Sequence, residues 1–253
     1  MPSFPNAVFS PSEWALRCEL AALYRLLAHF KMTDLIDTHI SVRLPDSGEA
    51  FLINRYGVLF HEIKATDLVK VDLHGDVIDQ RDGTYPVNKA GFNIHSAIHS
   101  ARPDAACVIH THTAAGIAVS AQEDGLLPLT QHALKFYGCL SYHDYEGIAL
   151  NPEECPRLVK DLGSNKAMIL RNHGLLTLGS SMAEAWNQIY FLERACQAQI
   201  QALAGGVKLR FPSEDVCRLT AIQSADEIRD NLHLLAWDAA LRLVADQKAE
   251  YCS

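Results

Sequence analysis

The hexapeptide Ala105-Ala106-Cys107-Val108-Ile109-His110 constrains this chain more than any other segment. It follows a helix stop at Arg102-Pro103, is too short for a useful helix, and is apolar at successive rather than alternate positions. It is therefore expected to be a strand in the middle of a sheet. The flanking segments supply covering layers. Ser10, Pro11 and Glu13 form a capping box with proline at the first helical position, and Leu16, Leu20, Leu23, Leu27 and Phe30 then repeat at helical spacing. Two strands are predicted at 39–44 and 50–54 around Pro45-Asp46-Ser47-Gly48. A third, at 68–73, turns through His74-Gly75-Asp76 into Val77-Ile78-Asp79. Helices are predicted over about 90–100, 113–121 and 151–162, and strands over 167–171 and 175–178. Ser181 and Glu184 open a long helix that stops at Gly205-Gly206, and Ser224 and Glu227 open a C-terminal helix to about Gln247. Helices interleave with strands, yet several strands meet in hairpins. The expected fold is α/β: a three-layer α/β/α sandwich with a mostly antiparallel central sheet. No repeat or linker tract divides the chain, so a single domain over 1–253 is expected, with a core at about 13–206 and a C-terminal helical extension at 207–253.

Composition removes several classes of function. With 22 Lys+Arg against 30 Asp+Glu the formal charge is −8, which argues against a nucleic-acid partner or an acidic membrane surface. No run of about 18 apolar residues appears and the first ten residues lack a secretory pattern, so no membrane association is expected. The 7 cysteines are odd in number, scattered and without a C-x-x-C pair, the pattern of reduced thiols in a cytoplasmic protein. G-x-G-x-x-G, G-x-x-x-x-G-K-[ST] and G-x-S-x-G motifs are absent.

The 12 histidines hold the chemical signal. His110-Thr111-His112 ends the apolar strand, and side chains at i and i+2 of an extended chain point the same way. Two imidazoles at a strand end make half a site for Zn²⁺ or another first-row metal. The best candidate for a third ligand is His173, in Arg171-Asn172-His173-Gly174 at another strand end. In a chain this rich in histidine, an H-x-H pair also arises by chance. His95 and His99 lie i, i+4 on one helix, a spacing that fits a half-exposed face better than a ligand pair. His39 and His143 have no partner pattern.

Taken together, Ala101-Arg102-Pro103-Asp104, Val108-Ile109-His110-Thr111-His112-Thr113 and Arg171-Asn172-His173-Gly174-Leu175 resemble the class II aldolase/adducin family over roughly Glu13 to Gly206. Asp37-Thr38-His39-Ile40-Ser41-Val42-Arg43-Leu44, the stretch Phe51 to Phe60, and Val87-Asn88-Lys89-Ala90-Gly91-Phe92 resemble its adducin-like branch more than its sugar-phosphate aldolases. The resemblance implies an α/β/α fold, often a ring-shaped homotetramer, and a divalent metal, usually zinc, held by three histidines, here His110, His112 and His173. In the aldolases that metal polarises a carbonyl and stabilises an enediolate. Two departures stand out. The aldolases' acid/base glutamate falls on Gly91 and their phosphate-binding serines on Lys89 and Ala90. Thr38-His39 replaces the glycine-asparagine of their phosphate loop.

Two functions follow as expectations. One is a metal-dependent lyase of aldolase or decarboxylase type acting on a small oxygenated, sugar- or keto-acid-like substrate. Asn54, Gly57 and Lys89 would then contact substrate, and Glu62 or Tyr137 would carry the proton, with His95, His143 and Glu146 as further candidates by chemistry alone. The other is a non-catalytic adducin-like binding or scaffold module that keeps the fold.

Overall fold

The computed structural model describes residues 9–45, 49–78 and 87–253. Seven strands form one sheet: β1 (His39–Arg43), β2 (Ala50–Ile53), β3 (Val69–Asp72), β4 (Cys107–Thr111), β5 (Leu140–His143), β6 (Ala167–Leu170) and β7 (Gly174–Gly179). Their order is β3-β2-β1-β4-β7-β6-β5, so the apolar strand β4 is central. Only the β5–β6 pairing is parallel; the others are antiparallel.

Alternation along the strands explains the layers. Cys107 and Ile109 of β4, Ala167 and Ile169 of β6 and Leu175 of β7 join a core with α1 (Pro11–His29), α3 (Ala114–Ser120) and α6 (Met182–Ala204). Their neighbours Val108, Met168, Leu170, Leu176 and Leu178 face the opposite layer, built on α2 (Lys89–Ala101) and α5 (Cys155–Leu162). A strand with two buried faces is apolar at successive positions, as Cys107, Val108 and Ile109 are. Each fully buried Leu, Ile or Val contributes roughly 1.5–3 kcal/mol, so the two cores together dominate stability.

Two of the three predicted caps are present. The Ser10 hydroxyl accepts from the Glu13 amide at 3.1 Å, and Ser181 accepts from Glu184 at 3.1 Å. The second arm of the predicted 68–79 hairpin reduces to a single bridge, Val71 to Val77; Asp79 and residues 46–48 of the other predicted turn lie outside the described residues. The short α4 (Gln131–Leu134), β5 and the first half of α7 (Glu214–Arg229) have no counterpart in the sequence prediction. Ser224 and Glu227 do not open a helix; they lie inside α7, where both hold the Lys135 ammonium, at 3.0 and 2.8 Å. The chain breaks instead at Asn231, whose φ of 61° is left-handed, before α8 (Leu232–Arg242) and the last turn α9 (Lys248–Tyr251). Among the described residues, no helix is long and apolar enough to cross a membrane.

Candidate metal centre

Three imidazoles meet where β4 and β7 end side by side. The β4–β7 register pairs His110 with Leu176 and Thr111 with Leu175. His110 and His112, two positions apart in extended chain, present their Nε2 atoms 2.7 Å from each other. The turn before β7 brings in His173, with Nε2 3.3 Å from that of His110 and 2.9 Å from that of His112. Two backbone features allow this approach. Asn172 takes a left-handed φ of 55°, and Gly174 lies so close to the Thr111 carbonyl that a Cβ there would collide with it. The Ser120 hydroxyl accepts from the His173 amide at 3.1 Å and fixes the turn against α3.

The outer nitrogens set the chemistry of the inner ones. His110 Nδ1 lies 2.9 Å from the Leu175 carbonyl, which can only accept, so Nδ1 holds the proton and Nε2 is a bare lone pair. His112 Nδ1 faces the Asp34 carboxylate at 3.2 Å, which gives the same tautomer. Carboxylate or carbonyl behind imidazole is the arrangement that orients histidine ligands on metals. Lone pairs facing each other at under 3 Å repel unless a cation lies between them, so the donor set fits a divalent metal. Burial holds the His110 imidazole well below its usual range, reinforced by His173, His39 and His112, and burial with His112 takes His173 down to about 4. Neutral rings are the coordinating form.

A second histidine cluster lies directly behind the first, and its burial is the main departure from the sequence prediction. His95 and His99 are not on a half-exposed face: they are 0% and 1% exposed and point from α2 into the sheet. His39 Nδ1 is 2.7 Å from His95 Nε2, the Ser41 hydroxyl contacts His95 Nδ1 and lies 2.7 Å from His99 Nε2, and His99 Nδ1 is 3.0 Å from the Ala105 carbonyl. The signal was present in the spacing: i, i+2 on a strand (His39, Ser41) faces i, i+4 on a helix (His95, His99). Burial pushes His39 and His95 well down and His99 to about 3.

The three-histidine group opens into a cavity of about 500 Å³, whose wall includes His39, Asp34, Asp37, Tyr56, Asn88 and Tyr145. Of the sequence-predicted residues only the three histidines line it. Glu62 is exposed and its carboxylate caps the Leu59 amide at 3.1 Å. Tyr137 lies in the turn after α4, away from the cavity. Asn54 is buried beneath Tyr24, whose hydroxyl donates to it at 3.0 Å. Gly57 and Lys89 stand one residue outside wall positions Tyr56 and Asn88, and Lys89 is exposed. His143 is buried between Asp161 and Glu154, and Glu146 pairs with Arg157. Asp34 and Asp37, which no spacing singles out, are the carboxylates the fold does bring to the wall. Gly91 has a steric cause: a Cβ there would come within 2.5 Å of His39 Nε2, so the imidazole fills the space of any side chain at 91.

Comparison with known proteins bears on the family and the fold. The family model described as "Class II Aldolase and Adducin N-terminal domain" matches residues 18–200. A Caulobacter vibrioides protein provisionally named an aldolase class 2 protein is 49% identical over 249 residues, covering 96% of this chain and 93% of that one. Alpha-adducin of Rattus norvegicus is 47% identical over 200 residues, 79% of this chain but 27% of the adducin. The structure of L-fuculose 1-phosphate aldolase from Glaciozyma antarctica PI12 superposes with a TM-score of 0.82 at 28% identity, covering 99% of this chain and 96% of that one.

Proposed function

This chain belongs to the class II aldolase/adducin family, and we propose that within it the chain works as a metal-dependent lyase of aldolase or decarboxylase type on a small oxygenated substrate. The observation that supports this reading is the convergence of three imidazole Nε2 atoms on one point at the floor of an open cavity. His110, His112 and His173 would hold the cation, with zinc the expected metal for an all-imidazole donor set. Bound there, it would supply Lewis-acid polarisation of a substrate carbonyl. The chain's own groups do the rest. The Leu175 carbonyl and the Asp34 carboxylate lock the imidazoles of His110 and His112 in their donor tautomers. Asp37, held by the Tyr56 hydroxyl at 3.2 Å, places a carboxylate on the cavity wall within the same site.

The finer partners belong to the same proposal. The mouth carries exposed apolar side chains, Ile117, Tyr145, Ile148 and Leu150, which suit burial against a second copy of the chain. The family resemblance further implies a homotetramer, with a solution mass about four times the 28.0 kDa of one chain. All seven cysteines are free, which suits the cytoplasm. The whole chain acts as one unit in this reading, with 207–253 as a helical extension of the core.

A second reading, a binding module, draws on the 47% identity to alpha-adducin and on the lack of a side chain at Gly91. One experiment separates them. Elemental analysis of purified wild type is expected to give about one metal per chain, lost in His110→Ala and in His173→Ala, with chelator-sensitive turnover of an aldol or β-keto-acid substrate. A folded, metal-free wild type without turnover overturns the lyase.

A further inference from the structure

The buried cluster behind the metal centre is a directional chain of hydrogen bonds, and its direction can be read from one end. The Ala105 carbonyl can only accept, so His99 Nδ1 carries a proton and, in the neutral ring, His99 Nε2 is an acceptor. The Ser41 hydroxyl must then donate to His99 Nε2 and accept from His95 Nδ1. That leaves His95 Nε2 as an acceptor, filled by the proton on His39 Nδ1 at 2.7 Å. His39 Nε2 is therefore a bare lone pair. It has no hydrogen-bond partner among the described residues, although the residue is only 3% exposed. Its ring lines the cavity, and Nε2 is not among the sealed, unsatisfied atoms of the interior. An unpartnered acceptor at the wall of a cavity calls for a donor from the ligand. His39 is also not one of the nitrogens that lie within 4.8 Å of one another in the three-ring group.

We propose that His39 is a substrate-positioning residue that accepts a hydrogen bond from a hydroxyl of the ligand through Nε2, and that the relay through His95, Ser41 and His99 to the Ala105 carbonyl fixes the tautomer that makes this possible. The ligand class is an α-hydroxy carboxylate or hydroxy-carbonyl compound: one oxygen pair for the metal centre and a hydroxyl proton for His39. The inference rests on the cavity being the substrate site proposed above. No change in the charge of any histidine is involved.

The test uses the zinc-loaded full chain. Long-range ¹H–¹⁵N spectra of histidine-labelled protein, with His39 assigned by its loss in His39→Phe, are expected to show a bare Nε2 and a protonated Nδ1. In Ser41→Ala the relay is cut and the two tautomers mix. Calorimetric titration with glycolate and with fluoroacetate, in which an isosteric fluorine cannot donate, is expected to favour glycolate about tenfold in wild type. That preference falls to about one in His39→Phe and shrinks in Ser41→Ala, while zinc content stays at wild-type level in both. A protonated Nε2 overturns the proposal, as does an unchanged preference in the variants, and so does loss of zinc in His39→Phe, which would make His39 a ligand. If neither compound binds wild type, the substrate-site reading falls together with this one.

Discussion

Six imidazoles lie within two adjoining clusters, and each is kept neutral by burial or tied by a directional partner. His99 shows the consequence for pH. Burial, assisted by the nearby Arg43 guanidinium, takes it from the usual 6.5 to about 3. Its surroundings are His95 on its own helix, Ser41 and Arg43 on β1 and the Phe51 ring on β2. Above pH 6.5 neither the folded nor the unfolded state protonates this ring. As pH falls from 6.5 towards 3, only the unfolded chain takes the proton, so stability is lost on the acid side at a slope of about 1.4 kcal/mol per pH unit for each such histidine. Denaturant unfolding of wild type between pH 6.5 and 4 is expected to show the sum of these slopes over the buried histidines, and His99→Phe is expected to reduce it by about one proton. An identical slope in the variant would mean that the ring is not held neutral. The residue identities behind this behaviour were readable, but not their depth. His95 and His99 look like a polar helix face until β1 supplies the His39 and Ser41 that bury and satisfy them.

The element that controls the metal centre is the β4–β7 pair rather than any single ligand. Its two strand ends carry all three imidazoles, and their spacing depends on Gly174, the first residue of β7. A methyl group there would meet the Thr111 carbonyl and lie 3.2 Å from His112 Cδ2, at a buried position followed by the buried Leu175. Gly174→Ala is expected to cost about 1–3 kcal/mol of stability and to lower metal occupancy although every ligand is intact. Full occupancy with wild-type melting would show that the strand ends do not set the site. At this level the sequence was most informative where one period dominates. The apolar β4 run, the α1 stripe and the Ser10 and Ser181 caps all announce themselves. It was least informative where polar side chains satisfy tertiary partners. In α7 only Cys217 is buried, so no stripe marks the helix, and Ser224 with Glu227 imitates a cap while holding Lys135. Asp34 reaches His112 across 78 positions, a distance no local pattern encodes.

At the level of the molecule, a seven-stranded sheet with a helical layer on each face places the ends of its central strands at the floor of a cavity, and the protein's chemistry depends on what gathers there. The C-terminal segment closes over the same side as α1: Trp237 and Ala240 of α8, Val244 and Tyr251 join that core. Arg25 reaches Glu250 at 3.1 Å, so the last turn also packs on the first helix. The layers and the mostly antiparallel sheet follow from hydrophobic period, whereas the wall of the cavity draws on six separate stretches of chain and could not. The central claim is that imidazoles from β4 and from the turn before β7 share one cation. Anomalous X-ray diffraction at the zinc edge, from crystals of the zinc-loaded full chain, locates that cation directly. The account predicts one strong peak about 2.0–2.1 Å from Nε2 of His110, His112 and His173 alike. Crystals with no anomalous density between those three rings, or with the only peak at another group of side chains, would contradict it.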